Sequence, residues 1–348
     1  MNPYVLTIFL FSLGLGTTLT FMSTHWFLAW MGLEINTLAI LPLMAQHHHP
    51  RAVEATTKYF LTQATAAATM LFATTTNAWL TGEWNITLML HPLSSALIMT
   101  ALALKVGLAP LHLWLPEVLQ GLNLTTGLIL ATWQKLAPFA LLVQTSHTMH
   151  PALLTALGIL STLIGGWGGL NQTQLRKILA YSSIAHLGWM TIIIQFTPQL
   201  TIFTLLVYII TTSTAFLTFK FMSTTKINTL TLSWSKEPAI VASAALLLLS
   251  LGGLPPLTGF LPKWLILQEL TKQNLPLTAT IMALTALLSL YFYLRLCYSM
   301  ILTISPNTSN SFTPWRLNNF QMSLPLSTLM TATLLLLPIS PALMTLLF

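Results

Sequence analysis

Apolar side chains fill one window of about 20 residues after another along the chain, and the stretches between windows collect Pro, Asn, His and most of the charges. A helix needs about 20 such residues to cross the hydrocarbon core of a bilayer. The windows therefore predict spans near 3–22, 25–45, 56–80, 86–120, 122–146, 150–172, 176–196, 198–222, 238–269, 275–303 and 322–347. The expected fold class is all-α, a polytopic membrane protein of about 11 transmembrane helices. The fourth and ninth windows are too long for one plain crossing, and each is interrupted by Gly and Pro beside a charge, the pattern of a broken helix.

The two interruptions match. Residues 107–116 read GLAPLHLWLP and residues 253–262 read GLPPLTGFLP, so Gly107, Pro110 and Pro116 recur as Gly253, Pro256 and Pro262 at an offset of 146. With five crossings between the copies, the second enters the membrane in the opposite sense. Backbone groups freed at such breaks are tolerated only where protein or water satisfies them, which makes matching breaks in inverted halves a pointer to an ion path. The chain is read as a first five-helix repeat over 1–148 with its break near 105–116, an inverted second repeat over 149–304 with its break near 252–263, and a loop plus C-terminal helix over 305–348.

Composition agrees: 55% of the 348 residues are hydrophobic and 5% charged, against roughly 25% charged in ordinary soluble domains. Mean hydropathy is +0.77. All six acidic residues are Glu, so the formal +7 reflects scarce acids rather than basic patches, and nucleic-acid binding is not expected. Arg51, Lys58, Arg176, Lys177, Lys220, Lys226, Lys236 and Arg316 fall on the face that carries the N-terminus, and Lys272 alone on the other. That bias puts the N-terminus on the positive side. The single Cys297 argues against an internal disulfide, a thiolate zinc site or an iron–sulfur cluster held by this chain alone. The first residues read as mature span, without a charged leader and A-x-A site. The N-x-[ST] sequons at Asn85, Asn123, Asn171 and Asn307 carry no weight.

Four ionisable residues lie in the interiors of predicted spans, Glu34, Lys105, Lys135 and Lys263, and Arg295 sits inside the tenth. Each costs roughly 2.5–3.5 kcal/mol at a helix centre on insertion scales, so each requires a partner or a use. The structural alternative is an ion pair between Glu34 and a lysine, or lysines that snorkel to the interface. The chemical alternative is proton carriage, because burial and a movable carboxylate can switch the proton affinity of a lysine. Glu34 and Lys105 would then be a modulating pair, Lys135 the next station and Lys263 the station nearer the less basic face. His112, inside the first Gly/Pro motif, and His186, in the seventh span, are candidate relays or packing histidines. His47, His48 and His49 read as a solvated run, Glu117 as a cap on a half-helix, and Glu54, Glu83, Glu237 and Glu269 as loop or interface charges. No dinucleotide fingerprint, Walker motif or cysteine set is present, so redox drive is expected from partners.

The opening MNPYVLTIFLFSLGLGT, the segment HWFLAWMGLEINTLAILPLM, and the runs LKVGLAPLHLWLPEVLQG, LRKILAYSSIAHLGWM and LLSLGGLPPLTGFLPKW together resemble the animal mitochondrial NADH-ubiquinone oxidoreductase chain 2 family over nearly the whole chain. That family is similar to cation/proton antiporter subunits. The resemblance implies two inverted five-helix bundles with broken helices, and eleven spans rather than the fourteen of bacterial relatives. It also implies proton translocation in complex I from matrix to intermembrane space, with the N-terminus in the matrix and the C-terminus in the intermembrane space. Glu34, Lys105, Lys135 and Lys263, with His112 and His186 as relays, match the family's positions. The implied partners are neighbouring complex I membrane subunits and phospholipid, cardiolipin among them. NADH, FMN, iron–sulfur clusters and ubiquinone are implied to bind other subunits. A free-standing sodium/proton antiporter and a non-transporting membrane scaffold are the competing readings.

Overall fold

The structure, a computed structural model, describes residues 2–89, 91–235, 238–302 and 323–347; Lys236, Glu237, Asn307 and Arg316 lie outside these. The chain forms two compact units, Met1–Ser161 with Ile194–Pro198, and Thr162–Ile193 with Gln199–Phe348. The first holds α1 (Pro3–Met22), α2 (Trp26–Met44), α3 (Pro50–Thr81), α4 (Pro92–Val106), α5 (Trp114–Gly121), α6 (Leu124–Ala131), α7 (Trp133–Gln144) and the start of α8 (Pro151–Gly169). The second holds the end of α8, then α9 (Leu175–Ile193), α10 (Pro198–Phe221), α11 (Ile227–Thr231), α12 (Pro238–Gly252), α13 (Phe260–Lys272), α14 (Pro276–Ile301) and α15 (Leu324–Leu347).

The all-α polytopic class is what the sequence predicted. Among the described residues seven helices are long and apolar enough to cross a membrane, with Pro92–Val106 and Pro238–Gly252 as shorter apolar helices. Seven helices (α1, α3, α4, α8, α10, α12 and α14) begin with Pro, whose missing N–H lies where a helix has no internal acceptor for it. Threonine and serine are tolerated inside the spans because their hydroxyls donate to carbonyls three or four residues back, as Thr211 does to Val207 at 2.9 Å. α1 and α2 meet through small residues: a Cβ on Gly16 would lie 2.8 Å from the Gly32 carbonyl oxygen.

The expected bounds shift in several places. α3 is 32 residues long and starts at Pro50, where the His49 ring accepts from the Arg51 amide at 3.2 Å. His49 is thus a helix cap, and Arg51 and Glu54 sit in the first turns of the helix. The fourth span starts at Pro92, because the stretch before it pairs with the chain entering α2: the Trp26 amide donates to the Trp84 carbonyl at 3.1 Å and Ile86 to Thr24 at 3.0 Å. The fifth span is divided at Thr132, which the sequence reading did not anticipate; this residue has φ −114° and ψ −67°, off the helical line.

Candidate functional site

Both predicted broken helices are present, and they share one design. α4 and α12 each run 15 residues, start at Pro92 and Pro238, and end against Gly107 and Gly253, which have φ +87° and +84°. This left-handed conformation favours glycine. After an unwound link, α5 and α13 resume at Trp114 and Phe260, so every one of these positions recurs at the offset of 146. The breaks expose helix-end carbonyls, which carry partial negative charge, and a cation or donor meets them. The Trp114 indole donates to the Leu104 carbonyl at 3.1 Å. In the second unit the Lys263 ammonium reaches back across the break to donate to the Gly252 carbonyl at 2.8 Å.

In the first unit, Lys105 occupies the last turn of α4 and is 6% exposed; Lys135, 5% exposed, lies one turn past the Thr132 division of the fifth span. Both face a single cavity of about 20 Å³, more than the ~10–15 Å³ one water needs. Leu130, Gln134, Lys135 and Pro138 line it from α6 and α7 at near-helical spacing, and Tyr59 and Gln63 line it from α3 one turn apart. Pro138 cannot donate to the carbonyl four residues back, leaving that of Gln134 free of its helical bond. Among the described residues Lys105 Nζ, Gln63 Nε2 and both amide atoms of Asn36 are buried without a hydrogen-bond partner. Such atoms cost ~1–3 kcal/mol each in a dry interior, so this wall is built for a hydrated cavity.

Glu34 does not line this cavity. It is half-buried on α2, accepts a hydrogen bond from the Thr37 hydroxyl at 3.1 Å, and acts electrostatically on Lys105 and Tyr59. No ion pair within 4.0 Å joins it to a lysine among the described residues. Among the described residues no direct ion pair therefore ties Glu34 to Lys105. His112 is 6% exposed in the unwound link, with Nδ1 3.3 Å from the Pro110 carbonyl oxygen.

In the second unit Lys263 and His186 share a cavity of about 30 Å³, lined also by Tyr208, Thr211 and Ser250. The His186 and Tyr208 rings lie 5.8 Å apart, centre to centre. Arg295, half-buried on α14, serves a different end: its guanidinium donates to the carbonyls of Leu170 and, at 2.7 Å, of Gln172, just past the end of α8. Glu117 pairs with Lys58 at 2.8 Å, and Lys58 also holds Glu54 at 2.8 Å, all three well exposed. Lys58 keeps the Glu54 carboxyl below the usual carboxylate range by hydrogen bond and charge. Among the described residues no group of three or more His, Cys, Asp or Glu is placed to hold a metal ion. The sequence reading missed Asn36, Gln63 and Gln134, because it weighed only ionisable side chains; amides inside apolar spans were the available signal.

Two family models together match residues 23–344. The family described as NADH:quinone oxidoreductase/Mrp antiporter, TM, matches residues 23–289, and that described as NADH dehydrogenase subunit 2 C-terminus matches residues 290–344. The chain is 72% identical over 346 residues to NADH-ubiquinone oxidoreductase chain 2 of Carassius auratus, covering 99% of each chain. It is 72% identical over 348 residues to the same-named protein of Formosania lacustris, covering 100% of both. A chain in the structure of respiratory complex I from Thermus thermophilus with bound aureothin superposes with a TM-score of 0.83 at 28% identity, over 97% of this chain and 80% of that one.

Proposed function

We propose a proton route on the premise that the chain belongs to the NADH-ubiquinone oxidoreductase chain 2 family, the antiporter-like membrane subunits of complex I. As such it is a multi-pass protein of the mitochondrial inner membrane and a proton-translocating subunit of NADH:ubiquinone reductase, working beside other membrane subunits. In our reading, protons move from matrix to intermembrane space through Glu34, Lys105, Lys135 and Lys263, with His112 and His186 as relays. The N-terminus faces the matrix and the C-terminus the intermembrane space. The energy comes from NADH, FMN, iron–sulfur and ubiquinone chemistry in other subunits, and anionic phospholipid such as cardiolipin meets the basic side.

The observation that carries this reading is the pair of buried lysines, Lys105 and Lys135, facing one polar-walled cavity. Two ammonium groups in a small void oppose each other, so a proton arriving at one favours departure from the other. Glu34, held by Thr37 and acting on Lys105 from a distance, tunes that exchange if its carboxylate moves or is neutralised. The second break keeps Lys263 next to a fixed carbonyl dipole at the end of α12 rather than a mobile counter-ion. Replacement of Lys105 by Met in assembled complex I should lower protons pumped per electron while the enzyme still assembles and oxidises NADH. Unchanged stoichiometry in that variant would overturn the route.

A further inference from the structure

We propose that Gln63 is a positioning residue for proton transfer, its carboxamide holding the water that joins Lys105 to Lys135. Gln63 is 4% exposed and Asn36 2%, and both line the cavity that the two lysines face. Neither is there by default. Gln63 stands one turn after Tyr59 on the stripe of α3 that faces the cavity, and Asn36 lies between Leu33 and Thr37 on the corresponding stripe of α2. Gln63 Nε2 finds no hydrogen-bond partner among the described residues, while the half-buried amide of Gln134 beside it is tied to the Asn36 backbone carbonyl at 3.2 Å; the Asn36 carboxamide, also unpaired, packs against Gly16 of α1.

A carboxamide is suited to this place by its chemistry. It offers both donor and acceptor, so it can orient a water whichever of the two lysines carries the proton. It does not take up a proton itself at neutral pH and therefore cannot trap one between stations. A carboxylate there would hold the charge, and a leucine would leave the void dry. The void, about 20 Å³, sets the scale at one or two waters.

This inference rests on the lysine route above, and the test separates them. Complex I carrying Gln63→Leu, Gln63→Met, Gln63→Asn or Lys105→Met is assembled, its amount measured on native gels, and reconstituted into liposomes. NADH oxidation and proton uptake are recorded in H2O and D2O. Gln63→Leu and Gln63→Met should slow coupled turnover about tenfold or more and enlarge the solvent isotope effect, with Gln63→Asn restoring part of both. The methionine variant preserves length and supplies the readout should leucine impair assembly. If Lys105→Met abolishes pumping but Gln63→Met leaves rate and isotope effect unchanged, the role of Gln63 is overturned and the lysine route stands. If neither variant matters, both are overturned.

Discussion

The two glycines that end α4 and α12 make a controlled pair for testing what the helix breaks do. Gly107 and Gly253 occupy equivalent positions with φ of +87° and +84°, so alanine at either imposes about the same backbone cost, about 1–2 kcal/mol. Their surroundings differ. An added Cβ on Gly107 would meet the end of the buried Leu115 side chain at 2.9 Å, a contact that involves no charged group. On Gly253 it would meet Lys263 itself, at 2.9 Å from Nζ and 3.0 Å from Cδ. Relief there means withdrawing the ammonium from the Gly252 carbonyl, a charge-assisted bond worth roughly 1.5–3 kcal/mol. Gly253→Ala should therefore cost about 2.5–5 kcal/mol locally against about 1–2 for Gly107→Ala. If the extra loss falls on proton transfer at Lys263, it amounts to roughly 10–100-fold in rate, at about 1.4 kcal/mol per decade. Both variants would be assembled in complex I and reconstituted in liposomes, with protons counted per NADH oxidised and normalised to assembled enzyme. Equal effects of the two alanines, or full pumping in Gly253→Ala, would refute the view that the α12 carbonyl positions Lys263.

Two further outcomes follow from charges outside the cavities. Arg295→Met removes two donors from carbonyls at the end of α8, each worth roughly 1.5–3 kcal/mol; assembled complex on native gels should fall, while pumping per assembled enzyme stays at the parent value. For the Glu54–Lys58 pair, the folded-state carboxyl titrates below its unfolded value, so its contribution is complete at neutral pH and disappears as pH falls through that lowered value. Lys58→Met should flatten the acid limb of melting temperature against pH, and an unchanged limb would show that this exposed pair adds nothing.

Much of this architecture could be read from residues alone because a bilayer leaves few options. Long apolar windows must be helices, and Gly and Pro beside a charge must mark a break that something satisfies. Gly107 and Gly253 were therefore visible as twins before any coordinates, and the observed glycines have the positive φ that such a role needs. Less was visible where the deciding group is a neutral side chain or the backbone itself. Thr132 divides the fifth span without Gly or Pro at that residue, its hydroxyl and amide both directed at the Leu128 carbonyl at 2.8 and 3.0 Å. Nothing in a hydropathy pattern announces that. Arg295 was legible as a charge in a span, but its service to the carbonyls of Leu170 and Gln172, more than 120 positions earlier, needs the tertiary fold.

The same limitation hid the relation between the two cavities. In sequence, Glu117 stands where Lys263 stands in the other copy, which read as a charge reversal. In the structure Glu117 turns to Lys58, the Trp114 indole takes the Leu104 carbonyl at the first break, and the buried cation of that half is Lys105, two residues before the glycine that ends α4. In the second unit it comes from Lys263, beyond the break in α13, reaching back to the carbonyl at the end of α12. Each half thus sets a buried lysine beside its break, Lys105 in the last turn of the helix before it and Lys263 in the first turn of the helix after it, where it meets the negative end of α12. What the repeats hold in common is a fixed partial charge beside a water-sized cavity, and a side chain able to carry a proton past it can be contributed from either arm.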